Sequence, residues 1–386
     1  MLRLLHTADV HLGARHADLG DRASAQRERQ FAAFVATVDL ALKEHVDVVL
    51  IAGDLFDSNA QPRRSVERTA AQLKRLVEAR IRTVLIPGTH DVYDRASIYR
   101  SFDLVAMAGA VGSDFVTILT PERTSVFLAS IDLVVHGTCF ATKRAPRSPL
   151  EGLDLSKDGH ARWNVGLLHA SIAIPEQTVD DEVVITTDEI AKSELDYLAL
   201  GHWHSMSQGK AGRTIWAYSG APEPVAVDQD LAGKVLLVTL DEKDRKQHVS
   251  VAEIQVGRTH FERLDVAAGE AGTQPALIDR LAAKADPDLV LDVRIVGIRP
   301  DDLDLATDEI ETALAARFLK VRVRDRSVAA LPDGPMPPPD TVLGALIRDL
   351  EGRIAELEAS DDPAAAEVRD ALRLGRLLLS REEVTL

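Results

Sequence analysis

Val48-Val49-Leu50-Ile51-Ala52-Gly53-Asp54-Leu55-Phe56-Asp57 is a run of apolar residues that ends in glycine and a carboxylate. A short apolar run bounded by glycine and polar residues reads as a buried strand. In open α/β sheets, ligands gather at the carboxyl ends of such strands. The pattern recurs along the chain. Leu2-Arg3-Leu4-Leu5 runs into Asp9-Val10-His11, and Val84-Leu85-Ile86-Pro87 runs into Gly88-Thr89-His90-Asp91. Val165-Gly166-Leu167-Leu168 leads to His169, and Tyr197-Leu198-Ala199-Leu200 leads to Gly201-His202-Trp203-His204. A single DxH means little, but this many strand ends bearing metal-capable side chains point to one shared two-metal centre.

Asp9, His11, Asp54, His169, His202 and His204 supply carboxylates and imidazoles together. That mixture is too rich in nitrogen for magnesium or calcium, which prefer oxygen. Without thiolates it is also unlike a structural zinc site. Two Mn2+ ions suit it, with iron, zinc or cobalt as alternatives. Two ions roughly 3.5–4 Å apart clamp a phosphate and acidify a bridging water. Asp54 is the natural bridging carboxylate, and His202 and His204 can send one imidazole to each ion. His90 is read as a catalytic group outside the ligand set, orienting the phosphate or protonating the leaving alkoxide. Asp57 and Asp91 are expected to hold imidazoles in the ligating tautomer. His6, His16, His45, His136, His160, His248 and His260 lack this context and read as ordinary core or surface histidines. Trp203 and Trp216 read as packing residues.

The bulk properties agree with an enzyme of this kind. At 386 residues the chain can bury a sizeable core and form two domains with an appendage. No apolar stretch approaches the roughly 20 residues needed to cross a bilayer. The N-terminus reads as a first strand and not a signal peptide. The single cysteine, Cys139, excludes an intrachain disulfide, suits a reducing cytoplasm and reads as a small core residue. A formal net charge of −16 argues against a broad non-specific nucleic-acid footprint but leaves room for a local one. Arg63, Arg64, Arg95 and Arg100 are the candidate DNA contacts, because they follow closely on metal-site loops. The clusters Lys143-Arg144 with Arg147, and Lys320, Arg322, Arg324 and Arg326, read as solvated faces.

The opening third alternates strand and helix. Phe31, Phe34, Val35, Val38 and Leu42 step along one helix face within Gln26–Glu44, and Val66, Leu73, Leu76 and Val77 mark a second helix begun by Pro62. This predicts a parallel core sheet. After Asp114, closely spaced strands (Val116–Leu119, Ser125–Ala129, Leu133–His136, Thr214–Tyr218, Lys234–Leu240, Val249–Gln255) predict a second, mostly antiparallel sheet packed on the first. Residues 258–330 read as a small α+β module with strand Val290–Val296, helix Ala306–Phe318 and strand Val321–Arg324. A proline-rich linker at 331–340 follows. In 341–386, Leu343, Leu346, Leu350, Ile354 and Leu357 lie on one helix face, and Asp361-Asp362-Pro363 starts a second helix.

These stretches resemble the calcineurin-like metallophosphoesterase superfamily and, more closely, the SbcD-type DNA repair nucleases. The residues that carry the resemblance are LLHTADVHLG at Leu4–Gly13, GDLFDS at Gly53–Ser58, PGTHD at Pro87–Asp91, LLHAS at Leu167–Ser171 and DYLALGHWH at Asp196–His204. They stand in the family's order over the first 205 or so residues, with a looser match at Tyr218–Pro224. The resemblance implies an α/β fold, a two-sheet metallophosphoesterase sandwich flanked by helices. Residues 1–257 would be the nuclease domain, 258–330 a DNA-capping domain and 341–386 a helical segment docking on an SbcC-type coiled-coil ATPase. It implies that Asp9, His11, Asp54 and His204 bind one metal, and that Asp54, Thr89, His169 and His202 bind the other. His90 and Asp54 would carry the catalysis. One departure stands out: the family has asparagine where this chain has Thr89, a weaker oxygen ligand, so the second metal is expected to bind more loosely.

By the same resemblance the chain is expected to cut DNA ends in double-strand-break repair, as a 3'-5' exonuclease on duplex and an endonuclease on single strands. It would act as a homodimer in the cytoplasm, at the nucleoid, with its ATPase partner and without a membrane. Two alternatives stand beside this: a phosphodiesterase or phosphatase of nucleotides or other small phosphoesters, favoured by the acidic balance, and a weakly active DNA-bridging scaffold, favoured by Thr89.

Overall fold

The computed structural model describes residues 1–155, 161–174, 178, 183–224, 229, 231–243, 246–300, 303–329, 336–360, 362 and 364–379. It divides into two compact units, Met1–His260 and Phe261–Leu386. In chain order the first unit begins with β1 (Leu2–Thr7), α1 (Ala23–Lys43), β2 (Val48–Ala52), α2 (Arg63–Glu78), β3 (Arg82–Ile86) and β4 (Val116–Ile118). Then come β5 (Ser125–Leu128), β6 (Leu133–His136), β7 (Trp163–His169), α3 (Thr187–Ser193), β8 (Tyr197–Gly201), β9 (Ser207–Ala211), β10 (Thr214–Tyr218), β11 (Lys234–Lys243) and β12 (Lys246–Gln255).

Two six-stranded sheets result, ordered β12-β11-β1-β2-β3-β4 and β9-β10-β8-β7-β6-β5. Alternate residues of each strand face opposite layers, as strand geometry requires. Leu4, Val48, Leu50 and Val84 of the first sheet meet Val135, Val165, Leu167 and Tyr197 of the second in one core. Their neighbours Leu5, Val49, Ile51 and Leu85 pack outward on Phe34 and Val38 of α1 and on Val66 and Leu73 of α2. Leu168, Leu198 and Leu200 face away from the inter-sheet core, against Ile185 and Ile190. Both faces of the central strands are therefore buried, which explains why their sequences are continuous apolar runs and not alternating ones.

The first sheet has the expected parallel core, β1-β2-β3-β4, extended by antiparallel β11 and β12. The second sheet corrects the sequence reading. It is mixed: β10-β8-β7-β6 are parallel, and only the edges β9 and β5 run antiparallel. The apolar β7 and β8 are linked by a crossover that carries α3, the connection a parallel pair requires. The strands β4, β11 and β12 belong to the first sheet, because β11 pairs with β1 (Leu4↔Val238) and β4 with β3.

The second unit comprises β13 (His260–Ala267), α4 (Gln274–Ala282), β14 (Leu289–Val296), α5 (Thr307–Leu314), β15 (Lys320–Asp325), α6 (Val342–Ala359) and α7 (Ala364–Leu379). Its sheet is ordered β13-β14-β15 and buries Val266, Leu291, Val293 and Val323 against Leu277, Leu281, Ile310 and Leu314 of the helices. The sequence reading missed β13, in which charges interleave the apolar residues, and the nine-residue α4. Leu331–Pro335 of the proline-rich linker, with Asp361 and Pro363, lie outside the described residues. The two tail helices form a hairpin in which Arg376 pairs with Glu351 at 3.1 Å. No helix among the described residues is long and apolar enough to cross a membrane.

Candidate metal centre

The carboxyl ends of β1, β2, β3, β7 and β8 meet at one pole of the sandwich. Each delivers its side chain through a sharp turn. Asp9 (φ 51°), His11 (φ 49°) and Asp54 (φ 49°) are left-handed, and His202 has φ 103°. Such conformations are costly for residues with a Cβ and persist where the surroundings over-determine them. Backbone bonds do this here: Asp9 N–H donates to Gly53 O at 3.2 Å and His11 N–H to Asp54 O at 3.0 Å. Glycine supplies the room. A Cβ on Gly53 would lie 2.3 Å from His169 Nδ1, and one on Gly88 would lie 2.2 Å from Asp54 Oδ1.

Asp9, Asp54 and His169 form one group of ligand atoms within 4.8 Å of one another, Asp9, His11 and His204 a second, and His11, Asp57 and His90 a third. His169 Nδ1 donates to Ala52 O at 2.9 Å, which leaves Nε2 aimed at Asp54 Oδ2, 3.2 Å away. Nε2 is a buried nitrogen whose nearest charged neighbour is that carboxylate and which makes no hydrogen bond of regular geometry. His11 Nε2 and His204 Nε2 face each other at 3.0 Å. His202 joins through its backbone, whose N–H donates to Asp9 Oδ1 at 3.0 Å, and its ring lies 5.2 Å from that of His169. Thr89 is buried in a cleft of about 20 Å³ with Gly88, His169 and Lys143.

The charges of the pocket shift one another. For His169, burial opposes protonation, but the Asp54 and Asp9 carboxylates outweigh it and push the pKa up to about 10. Burial lifts Asp9 to about 6, with His169 pulling the other way. Asp54 is held well below the carboxylate range: burial works against ionisation, but His169, then His11, then His90 prevail. Burial, with His11 next, lowers His204 to about 3. Opposed carboxylates and imidazoles this close, with an orphan buried nitrogen among them, are what a binuclear divalent-cation site requires of its protein.

His90 stands at the rim, its side chain 47% exposed. Its N–H donates to Asp54 Oδ1 at 2.7 Å and its Nδ1 to Asp57 O at 3.0 Å, which leaves Nε2 free of that bond. Asp57 also places Oδ1 3.5 Å from His11 Nδ1. Asp91 departs from the expectation that it holds an imidazole. It accepts Gly88 N–H at 2.7 Å, Phe56 N–H at 3.1 Å and the Tyr99 hydroxyl at 2.5 Å, and so braces the loops after β2 and β3 instead of a histidine. The sequence reading passed over Gln229, whose side-chain amide lies 2.6 Å from His204 Nδ1; nothing in its local pattern marks it.

The four candidate DNA-contact arginines lie outside this constellation. Arg63 pairs with Glu67 at 2.7 Å, and Arg100 lies over the Tyr93 ring at 4.0 Å with Glu122 at 3.7 Å. Arg64 is exposed on the first turn of α2 and Arg95 is exposed after β3, neither within the ligand groups. Trp203 stacks on Tyr218 at 5.5 Å and donates Nε1–H to Ser171 Oγ at 2.9 Å, which makes it a packing residue. Cys139 is buried, and burial pushes its thiol up to about 12.

A mixed α/β sandwich with aspartates and histidines converging at the strand ends is the arrangement of a metal-dependent phosphoesterase. The chain belongs to the calcineurin-like phosphoesterase family, which it matches over residues 2–206. Family members hold divalent metals in a binuclear site. Among curated relatives, the chain is similar to the DNA double-strand break repair protein Mre11 of Aeropyrum pernix, 30% identical over 71% of this chain and 65% of that one. It is 30% identical to the Mre11 protein of Sulfurisphaera tokodaii over 57% of this chain and 54% of that one. It is also 27% identical to the metallophosphoesterase YhaO of Bacillus subtilis, over 57% of this chain and 52% of that one. The chain thus spans between about half and two thirds of these relatives' lengths.

Proposed function

We propose that this protein is a two-metal phosphodiester hydrolase that cuts DNA at broken ends. The observation that carries the reading is the convergence of Asp9, His11, Asp54, His169 and His204 beside a rim histidine, His90, in a chain related to DNA double-strand break repair proteins. In this reading Asp9, His11, Asp54 and His204 hold one cation, and Asp54, Thr89, His169 and His202 hold the other. Manganese suits this donor set best, with iron, zinc or cobalt as substitutes. Bound there, the pair would neutralise phosphate charge and acidify an attacking water.

The chain's own groups do the rest. Asp54, kept ionised by its imidazole neighbours, would serve both cations. His90, with Nδ1–H spent on Asp57 O, presents Nε2 to the phosphate or to the leaving alkoxide. Exonuclease action on duplex, 3'-5', and endonuclease action on single strands follow by kinship with the repair relatives. So do an SbcC-type ATPase partner docking on residues 341–386, DNA capping by residues 258–330, homodimerisation and a cytoplasmic, nucleoid-associated location. The exposed Val342, Leu378 and Leu379 suit a docking segment.

Thr89 favours a second reading, a weakly active scaffold that bridges DNA to its ATPase. Cleavage of end-labelled duplex and single-stranded DNA in manganese, alongside p-nitrophenyl phosphate turnover, separates the readings. DNA cutting that Thr89→Asn accelerates supports the nuclease. Turnover of the small monoester alone supports a phosphatase of small phosphoesters, and near-zero cutting at saturating manganese with partner present supports the scaffold.

A further inference from the structure

Two ring nitrogens that face each other at 3.0 Å, His11 Nε2 and His204 Nε2, pose a problem of proton placement. Both serve as cation ligands only if both carry lone pairs there. For His11 the outer partner decides: Nδ1 lies 3.5 Å from Asp57 Oδ1, and an ionised carboxylate only accepts. The His11 proton therefore belongs on Nδ1 and its Nε2 is a lone pair.

His204 differs, because its outer partner is a carboxamide. The Gln229 side chain lies 2.6 Å from His204 Nδ1. With the amide nitrogen toward the ring, Nδ1 accepts, Nε2 keeps the proton and donates it to His11, and His204 is no ligand. With the amide oxygen toward the ring, Nδ1–H donates to Gln229 and Nε2 presents a lone pair. Rotating the terminal amide by half a turn interchanges the two. Both residues are framed by backbone bonds. Ala221 N–H donates to His204 O at 2.9 Å, Met206 N–H to Leu231 O at 3.3 Å, and Ala232 N–H to Gln229 O at 3.1 Å.

We propose that Gln229 is a positioning residue that sets the tautomer of His204 through this rotation, oxygen toward Nδ1 when a divalent cation is bound. The proposal rests on the two-metal reading above. A carboxamide is a neutral side chain that can serve either tautomer, so it satisfies His204 with or without a cation, which a carboxylate at 229 would not. The partner on a ligating histidine's second nitrogen fixes its tautomer and basicity, and losing it typically weakens metal binding about 10–100-fold.

The test uses the full chain labelled with 15N-histidine, stripped of divalent cations and held about pH 8, in which two-bond nitrogen–proton spectra report each tautomer. Manganese affinity is then measured by calorimetry. In the wild type, His204 is expected as the Nε2–H form. Gln229→Glu, an acceptor only, should move it to the Nδ1–H form without any cation and keep manganese binding at least as tight as wild type. Gln229→Leu should weaken manganese binding about 10–100-fold while the thermal midpoint of the stripped protein moves little. An unchanged His204 tautomer in Gln229→Glu, or unchanged manganese affinity in Gln229→Leu, overturns the proposal. If the wild type binds no manganese, it is the two-metal reading that falls, and the tautomer response to Gln229→Glu still decides the role of Gln229.

Discussion

Asp9 accepts the backbone N–H of His202 with both carboxylate oxygens, at 3.0 and 3.1 Å, and so ties the loop after β1 of one sheet to the loop after β8 of the other. The bond holds His202 in its unusual backbone conformation and keeps the two halves of the centre together. Asp9 thus has two roles that substitution can separate. Asp9→Asn keeps an oxygen acceptor but loses the charge, so manganese binding should fall at least tenfold with the thermal midpoint in chelator nearly unchanged. Asp9→Ala leaves the buried N–H of His202 unpaired, at a cost of about 1–3 kcal/mol. It should lower that midpoint as well. Equal midpoints for the two variants would show that the bond does not brace the loop.

Gly53 is required by its conformation and by its neighbour. At φ +89° a side chain is strained, and a Cβ would lie 2.3 Å from Nδ1 and 2.6 Å from Cγ of His169. Gly53→Ala must therefore displace the His169 ring and its bond to Ala52 O. We expect a loss of about 1–2 kcal/mol from the backbone alone, and a weakening of manganese binding of about tenfold or more. Denaturant unfolding and calorimetry read the two effects separately.

His6, between the sheets, gives the molecule an acid-sensitive element apart from the ligands. Its Nε2–H donates to Leu200 O at 3.2 Å and its Nδ1 accepts the Tyr197 hydroxyl at 2.8 Å. Burial, only partly offset by the Leu200 carbonyl, lowers its pKa from 6.5 to about 3. Between these values the folded chain binds fewer protons at His6 than the unfolded one. The contribution of His6 is whole above pH 6.5 and is lost as pH falls toward 3. At about pH 4.5, two units below the unfolded value, the loss is on the order of 3 kcal/mol. His6→Gln removes the titration, so its unfolding free energy should fall less than that of the wild type between about pH 7.5 and 4.5. Parallel pH profiles would refute this.

The strand ends were legible because burial on both faces writes an unbroken apolar run that stops where a polar loop begins. Gly53-Asp54 and Gly201-His202 were legible for the same reason, since only a tight turn at a sheet edge puts glycine beside a ligand-type residue. Sheet membership was not. Lys234–Lys243 looks like any other strand, and only its pairing with β1 assigns it to the first sheet. Partners far away in sequence were equally hidden. Asp91 sits in a ligand-rich motif yet bonds Tyr99 and two backbone amides, whereas Gln229, in no motif, reaches His204.

His90 offers the sharpest separation of chemistry from metal binding. Its backbone N–H, not its ring, is what bonds Asp54, and its ring Nδ1 bonds the carbonyl of Asp57. Replacing the ring leaves the main-chain bond to Asp54 in place and gives up only the ring's bond to Asp57 O. His90→Ala should therefore bind manganese with wild-type stoichiometry and affinity. If the ring transfers a proton to the leaving oxygen, cleavage should fall about 10²–10⁴-fold. That loss should be smaller for a substrate whose leaving group needs no proton, such as p-nitrophenyl phosphate compared with a DNA phosphodiester. An equal loss on both substrates would assign His90 to phosphate orientation and not to proton transfer, and a parallel loss of manganese would place it among the ligands.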